Sequence, residues 1–316
     1  MVRLFISFFS FSIPLLLLSS CSGNTQFLTE VKDLPSYSSA SGIEFSNGNY
    51  YIMGDDATHL LVLDSNLAVT DSIAIFNSTE KRIPKSSKPD LEALVMIYKE
   101  RKPQLLMMGS GSLEPFRNMA VIFDPATKLH EEIRMDTFFH RLKYYGLQEL
   151  NIEGACSIPG NIVLSNRGHK GSPKNHLVFT SPDFLVRQAI APVTIIKVGA
   201  SQDSSQFQGV SGLAYARRCD KLLLTVSTED TRNVHEDGAI GKSYLWVIDN
   251  ISSKKRWNSI NPTRIIDLEK ADRRFKGHKI ESVCVVKETK NFLQLALVAD
   301  DDDGSSMLFK LDISKK

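Results

Sequence analysis

The chain has 316 residues, of which 42% are hydrophobic, and 38 basic residues face 36 acidic ones for a formal charge of +2. That balance gives no electrostatic footprint for nucleic acid, while the apolar content is enough for a sizeable core. Its four cysteines show no Cys/His ligand spacing, which argues against a structural zinc site.

Residues 1–20 read as a leader. Arg3 is its charged start, Leu4 to Leu18 is an apolar run broken once by Pro14, and Leu18-Ser19-Ser20-Cys21 closes it. The run is too short for a spanning helix and is flanked as a secretory signal is. Its end resembles bacterial lipoprotein signals, which implies acylation of Cys21 and a lipid-anchored envelope protein, facing either the periplasm or the cell surface. Several acyl chains on one cysteine hold a protein on a bilayer where a single chain binds only marginally. Residues 21–26 form a polar tether, and 27–316 form one folded domain.

Within that domain one short pattern recurs five times. The copies begin at Gly42-Ile43-Glu44, Asp90-Leu91-Glu92, Asn151-Ile152-Glu153, Gly209-Val210-Ser211 and Lys279-Ile280-Glu281. Each is followed by an apolar run, such as Ile162 to Arg167, and then by another that usually ends in Asp, as in Leu60 to Asp64 or Ala120 to Asp124. The runs are brief, rich in Val, Ile and Leu, and bounded by Gly, Asp, Asn and Ser, which marks strands. Four strands over roughly 50 to 70 residues is the repeat of a propeller blade. The pattern predicts an all-β propeller of five blades, with six as the alternative if a long connection hides a degenerate blade. Thr137 to Leu150 is the best helical candidate, and Glu269 to Phe275 is a weaker one.

The fifth copy ends at Asp312, so its blade lacks a fourth strand. Phe27 to Leu34 has the character of a strand and belongs to no blade. It is expected to pair onto the last blade and close the ring, which removes exposed sheet edges.

The recurrent carboxylates are the candidate site. Glu44, Glu92, Glu153 and Glu281 share one register in the repeat, so ring symmetry is expected to bring them round one axis at the channel mouth. Converging carboxylates raise each other's pKa unless a hard cation such as calcium or basic side chains intervene. Lys85 and Lys88 precede the second Glu, Arg117 and Arg167 follow the second and third apolar runs, and Lys279 precedes the fifth Glu. Together with Asp55 they suggest a mixed-charge mouth for an anionic small molecule. An equally plain role for each Glu is architectural, accepting backbone N–H groups from the neighbouring blade. Cys156 and Cys284 occupy one repeat position in different blades, too far apart to bridge.

The Ile-Glu-Gly and Leu-Glu-Ala steps, with Gly-Asp-Asp and Ser-Asn-Arg at the following strand ends, resemble bacterial propellers of the phytase-like (esterase-like activity of phytase) and SdiA-regulated families, in particular a lipoprotein branch of that group. In phytase-like propellers, carboxylates at the channel mouth hold calcium and phosphate. The resemblance implies that Glu44, Asp55, Glu92, Glu153 and Glu281 correspond, and it departs at Ser211. The reading that follows is a monomeric, membrane-anchored envelope propeller that binds a small anion or an envelope protein without catalysis. The alternative is a calcium-dependent phosphoester or ester hydrolase of phytase-like type.

Overall fold

The structure is a computed structural model that describes residues 26–78, 80–199, 207–229, 240–254, 257–301 and 304–315. The leader, the tether up to residue 25 and Cys21 lie outside the described residues. Among the described residues no helix is long and apolar enough to cross a membrane.

Strand β1 (Gln26–Leu34) leads into five sheets. Blade 1 is β2 (Ala40–Ser46), β3 (Asn49–Gly54), β4 (His59–Asp64) and β5 (Val69–Ala74). Blade 2 is β6 (Leu91–Lys99), β7 (Lys102–Gly109), β8 (Met119–Phe123) and β9 (His130–Arg134). Blade 3 is β10 (Ile152–Ile158), β11 (Asn161–Asn166), β12 (Asn175–Thr180) and β13 (Val193–Val198). Blade 4 is β14 (Gln208–Ala216), β15 (Lys221–Glu229), β16 (Ile240–Asp249) and β18 (Arg264–Asp267). Blade 5 is β19 (Lys279–Glu288), β20 (Phe292–Asp300), β21 (Ser306–Ser314) and, as its outer strand, β1. The count is five, and the N-terminal strand closes the ring as its sequence suggests, with Gln26 opposite Ile313 and Leu34 opposite Ser306.

Local chemistry explains where the strands stop. Asn47 and Gly48 both take positive φ, +50° and +83°, as a two-residue hairpin of right-handed strands requires. The Asp that ends the third strand folds the chain back. Asp64 Oδ1 accepts from the amide of Asn66 at 2.9 Å, and Asp124 Oδ1 from that of Ala126 at 2.8 Å, the side-chain turn that suits Asp to reversals.

Each blade is covered on both faces, which is why its central strands are continuous apolar runs rather than alternating ones. Among the described residues the core divides into five clusters, one in each gap between neighbouring blades. The gap that closes the circle joins Ile43, Ile52 and Leu63 of blade 1 to Cys284, Val298 and Leu308 of blade 5. Helix α1 (Asp136–Tyr144) lies between blades 2 and 3 and buries Phe138, Phe139 and Leu142; Phe138 meets Phe184 at 4.9 Å between ring centroids. The weaker candidate is a single turn, α2 (Leu268–Ala271), capped by Asp267, followed by a 3₁₀ turn over Arg273–Phe275. One element has no counterpart in the sequence pattern. The two-residue strand β17 (Ser259–Ile260), from the β16–β18 connection of blade 4, pairs parallel to β13 and ties blade 4 to the outer edge of blade 3.

Candidate functional site

The inner strands β2, β6, β10, β14 and β19 run side by side around the axis, so a residue repeated in all five forms a tier of the ring. Near the start of each, pairing with the second strand slips. The residue left over is Glu92 in β6, Glu153 in β10 and Glu281 in β19. In β14 it is Ser211 together with Gly212, and in β2 it is Ser41. A bulge re-aims one side chain and turns the strand more sharply, which sends this tier toward the channel mouth. The next position is always small: Gly42, Ala93, Gly154, Gly212 and Ser282. Space dictates this. A Cβ on Gly154 would lie 2.6 Å from the Ser211 carbonyl oxygen, and one on Gly212 would lie 2.6 Å from Ser282 Cα.

This register corrects the expectation for Glu44. It stands three residues beyond the bulge, a tier further from the mouth, and its equivalents are Val95, Cys156, Ala214 and Cys284. Glu44 Oε1 accepts from the amide of Phe45 and Oε2 from that of Met96 in blade 2, both at 3.0 Å. It therefore holds two blades together, which is the architectural role. The four-carboxylate calcium set built on Glu44, Glu92, Glu153 and Glu281 does not fit, because one member is on another tier and two of the others have their own cations.

Burial raises the Glu44 carboxyl to about 6 from an ordinary 4.5. The native chain thus holds this proton more tightly than the unfolded chain, and stability falls as pH rises from about 4.5 through 6. The 1.5-unit difference amounts to about 2 kcal/mol. Urea denaturation between pH 4 and 7 should show that fall in the natural protein and lack it in Glu44→Gln; equal slopes would contradict the assignment.

At the mouth, acid and base interleave. Lys88, in the loop before β6, contacts Asp55 Oδ2 and lies 2.8 Å from Asp90 Oδ1. Arg117 Nη1 donates to Asp90 Oδ2 at 2.7 Å and to Ser112 Oγ at 2.8 Å, and Ser110 Oγ donates to the same Asp90 oxygen at 2.5 Å. Asp56 is paired with Arg82 at 2.7 Å. On blade 3, Arg167 lies 3.6 Å from Glu153 and donates to Ser211 Oγ at 3.2 Å and to Ser227 Oγ at 3.1 Å in blade 4. Gly209 leaves room for it, since a Cβ there would sit 2.4 Å from Arg167 Nε. Lys279 meets Glu281 at 2.9 Å. Lys85 is exposed in the loop that carries Lys88.

Glu92 differs from its fellows. No other described residue hydrogen-bonds to its carboxylate. It shares the mouth with Asp55 and Asp90, whose ligand oxygens and its own all lie within 4.8 Å of one another. Burial first, then the charges of Asp90, Glu153 and Asp55, raise its pKa well above the ordinary value against the pull of Lys88. Burial likewise pushes Asp55 up, with Lys88 opposing. For Lys88 burial works the other way, but the charges of Asp55, Asp90 and Glu92 outweigh it and hold the ammonium charged.

Seven of the eight expected residues are therefore at or beside the mouth, and Glu44 is not. The sequence reading gave no role to Ser41, Asp90, Ser110 or Ser227. A signal for Ser41 was available: every bulge residue is followed by a small one, and Ser41-Gly42 meets that rule where Glu44-Phe45 does not. Asp90 adopts φ +54°, the left-handed region that Asp tolerates better than most residues. Chemically the site can bind. The Ser110 side chain is fully buried, and the Asp90 carboxylate that accepts from it is already held by Lys88 and Arg117.

Comparison with curated proteins gives no match. Among solved structures, the chain is similar to the glutaminyl cyclase of Myxococcus xanthus at 13% identity, over 91% of this chain and 97% of that one, with a TM-score of 0.50. It is similar to a streptogramin B lyase at 7% identity over 92% and 100%, TM-score 0.43, and to virginiamycin B lyase from Staphylococcus aureus at 8% over 91% and 99%, TM-score 0.40. At such identities the likeness concerns the fold alone. Residues 36–313 match the profile of DUF6929, a family of unknown function, and the chain belongs to that family.

Proposed function

We propose that the protein is a ligand-binding propeller whose channel mouth takes a small anion that also carries hydroxyl or amino donors. The observation that carries this reading is Glu92: a half-buried carboxylate among three others, with no hydrogen bond from any other described residue. A carboxylate crowded by like charges is costly to keep ionised. A ligand that donates to Glu92 relieves the cost, and the Lys88 charge that acts on Glu92 favours an anionic group beside it. Sites kept for binding are often held at the expense of stability.

Thermal melts of the purified protein against a panel of sugar phosphates and hydroxycarboxylates test the reading. Glu92→Gln should raise the stability of the unliganded protein by about 0.5–2 kcal/mol and cancel any ligand-induced rise. Stabilisation by panel members that survives Glu92→Gln undiminished, or no stabilisation by any member, would sink the idea.

A second reading, the calcium-dependent ester or phosphoester hydrolase of phytase-like type, is favoured by the closeness of Asp55, Asp90 and Glu92. Their oxygens suit a hard cation, but the Lys88 ammonium already lies against two of the three, so a metal there would have to displace it. The same melts with calcium and with chelator separate the readings, because only the hydrolase requires a calcium-dependent rise.

We further propose that the leader places the protein in the bacterial envelope, lipid-anchored through Cys21. The support is the sequence pattern of residues 1–21. Labelled fatty acid fed to cells should appear on the protein and be lost in Cys21→Ser; label that persists would refute the anchor.

A further inference from the structure

The end of the axis opposite the mouth carries a second concave site. The far halves of all five inner strands enclose a cavity of about 440 Å³, lined by Glu44, Met96, Cys156 and Cys284 together with Tyr98 and Tyr215. That size lies within the range of small-molecule pockets.

The polar group here is the Glu44 carboxylate. A carboxylate offers about four lone-pair positions, and the amides of Phe45 and Met96 fill two of them. Acceptor capacity is left on an oxygen pair that two backbone amides fix at the cavity wall. Beside it the wall carries two thiols that are 3% and 2% exposed, a thioether, and valine and leucine side chains from three strands, together with Ser46 and Ser157. Burial pushes both thiols up, with the Glu44 charge adding to it, so they present S–H groups and not anions. Two tyrosines complete the lining, and aromatic faces attract cations. The one basic residue that lines the cavity, Arg217, is exposed and makes no ion pair among the described residues. Its charge is therefore screened by solvent more than that of the half-buried Glu44.

We propose that this cavity is a binding site, separate from the mouth, for a small organic ammonium compound with an apolar body, its nitrogen on Glu44 and its body against Met96, Cys156 and Cys284. The arrangement discriminates by charge sign, since a carboxylate ligand of equal size would face Glu44 with no donor to offer.

Calorimetric titration of the full-length protein with phenethylammonium and with 3-phenylpropionate reads this out. The expected result is saturable one-to-one binding of the ammonium compound, at least tenfold tighter than that of the acid. Glu44→Gln should weaken it at least tenfold. Because Glu44 also joins blades 1 and 2, Ala214→Leu provides the second variant. It fills the cavity from blade 4, leaves the carboxylate and its two amide bonds in place, and should weaken binding as much while still melting cooperatively. Absence of saturable binding, equal affinity for the acid, or unchanged affinity in a folded Ala214→Leu protein would overturn the proposal.

Discussion

A chain that begins at Pro35 should lose its cooperative thermal transition, whereas one that begins at Gln26 should keep it. The difference is strand β1. Its eight paired positions make it the outer strand of blade 5, and net values near 1 kcal/mol per hydrogen bond put the lost ladder at several kcal/mol. Packing adds to this. Leu34 is buried in the gap between blades 5 and 1, and Leu28 and Val31 pack against the gap between blades 4 and 5. The Leu28 carbonyl also accepts from Arg274 Nη2 at 3.3 Å. Domain stabilities are typically only about 5–15 kcal/mol, so the loss consumes most of the margin, and the bare edge of β21 becomes a template for aggregation. Circular dichroism melts of the two shortened chains decide the matter. A Pro35 chain that melts as sharply as the longer one, and within a few degrees of it, would show that closure does not depend on β1.

The second large effect is expected at Arg117. Replacing it with methionine should lower the unfolding free energy by about 3–5 kcal/mol, the usual cost of breaking a buried pair from one side. Arg117 and Asp90 are each 6% exposed at the side chain, so solvent cannot take over the lost contact. Asp90 would keep Lys88 and Ser110, but Lys88 is already shared with Asp55. Methionine fills a similar volume, which isolates the charge from the cavity. The double variant Arg117→Met with Asp90→Asn should recover part of the loss, because the unpaired anion goes with its partner. Denaturant titrations of the four proteins give the coupling. A single-variant loss under 1 kcal/mol would place the pair with solvent-screened surface bridges.

Much of the fold was legible because strand composition and turn chemistry are local. The Val/Ile/Leu runs, the Asp64 and Asp124 turns and the Asn47-Gly48 reversal need no knowledge of distant residues. Ring closure was legible for a different reason: a blade short of one strand and a strand without a blade have only each other. The strand β17 was not legible, since two residues carry no periodicity and their pairing is decided by where blade 3 ends.

The candidate site divides along the same line. The repeated Glu, the Lys before it and the Arg after the following strand were visible as a mixed-charge mouth. Which Glu belongs to it was not. Ile43-Glu44 reads like Leu91-Glu92, Ile152-Glu153 and Ile280-Glu281, but a letter pair does not say where a strand bulges. Pairing with β3 places the bulge at Ser41, three residues earlier, and moves Glu44 from the mouth to the far cavity.

By itself, then, the order of residues determined the propeller architecture, with five blades or six, the strand that closes them and the kinds of charge gathered at one end, because each follows from a period repeated along the chain. Only the folded ring decided that Glu92 has no donor among the described residues while Glu153 and Glu281 have theirs, and that two cysteines and a glutamate from three blades face one space. Those facts depend on distances between blades, which are set by backbone contact at Gly154 and Gly212 and by the register of each bulge, and neither is written in any one stretch of sequence.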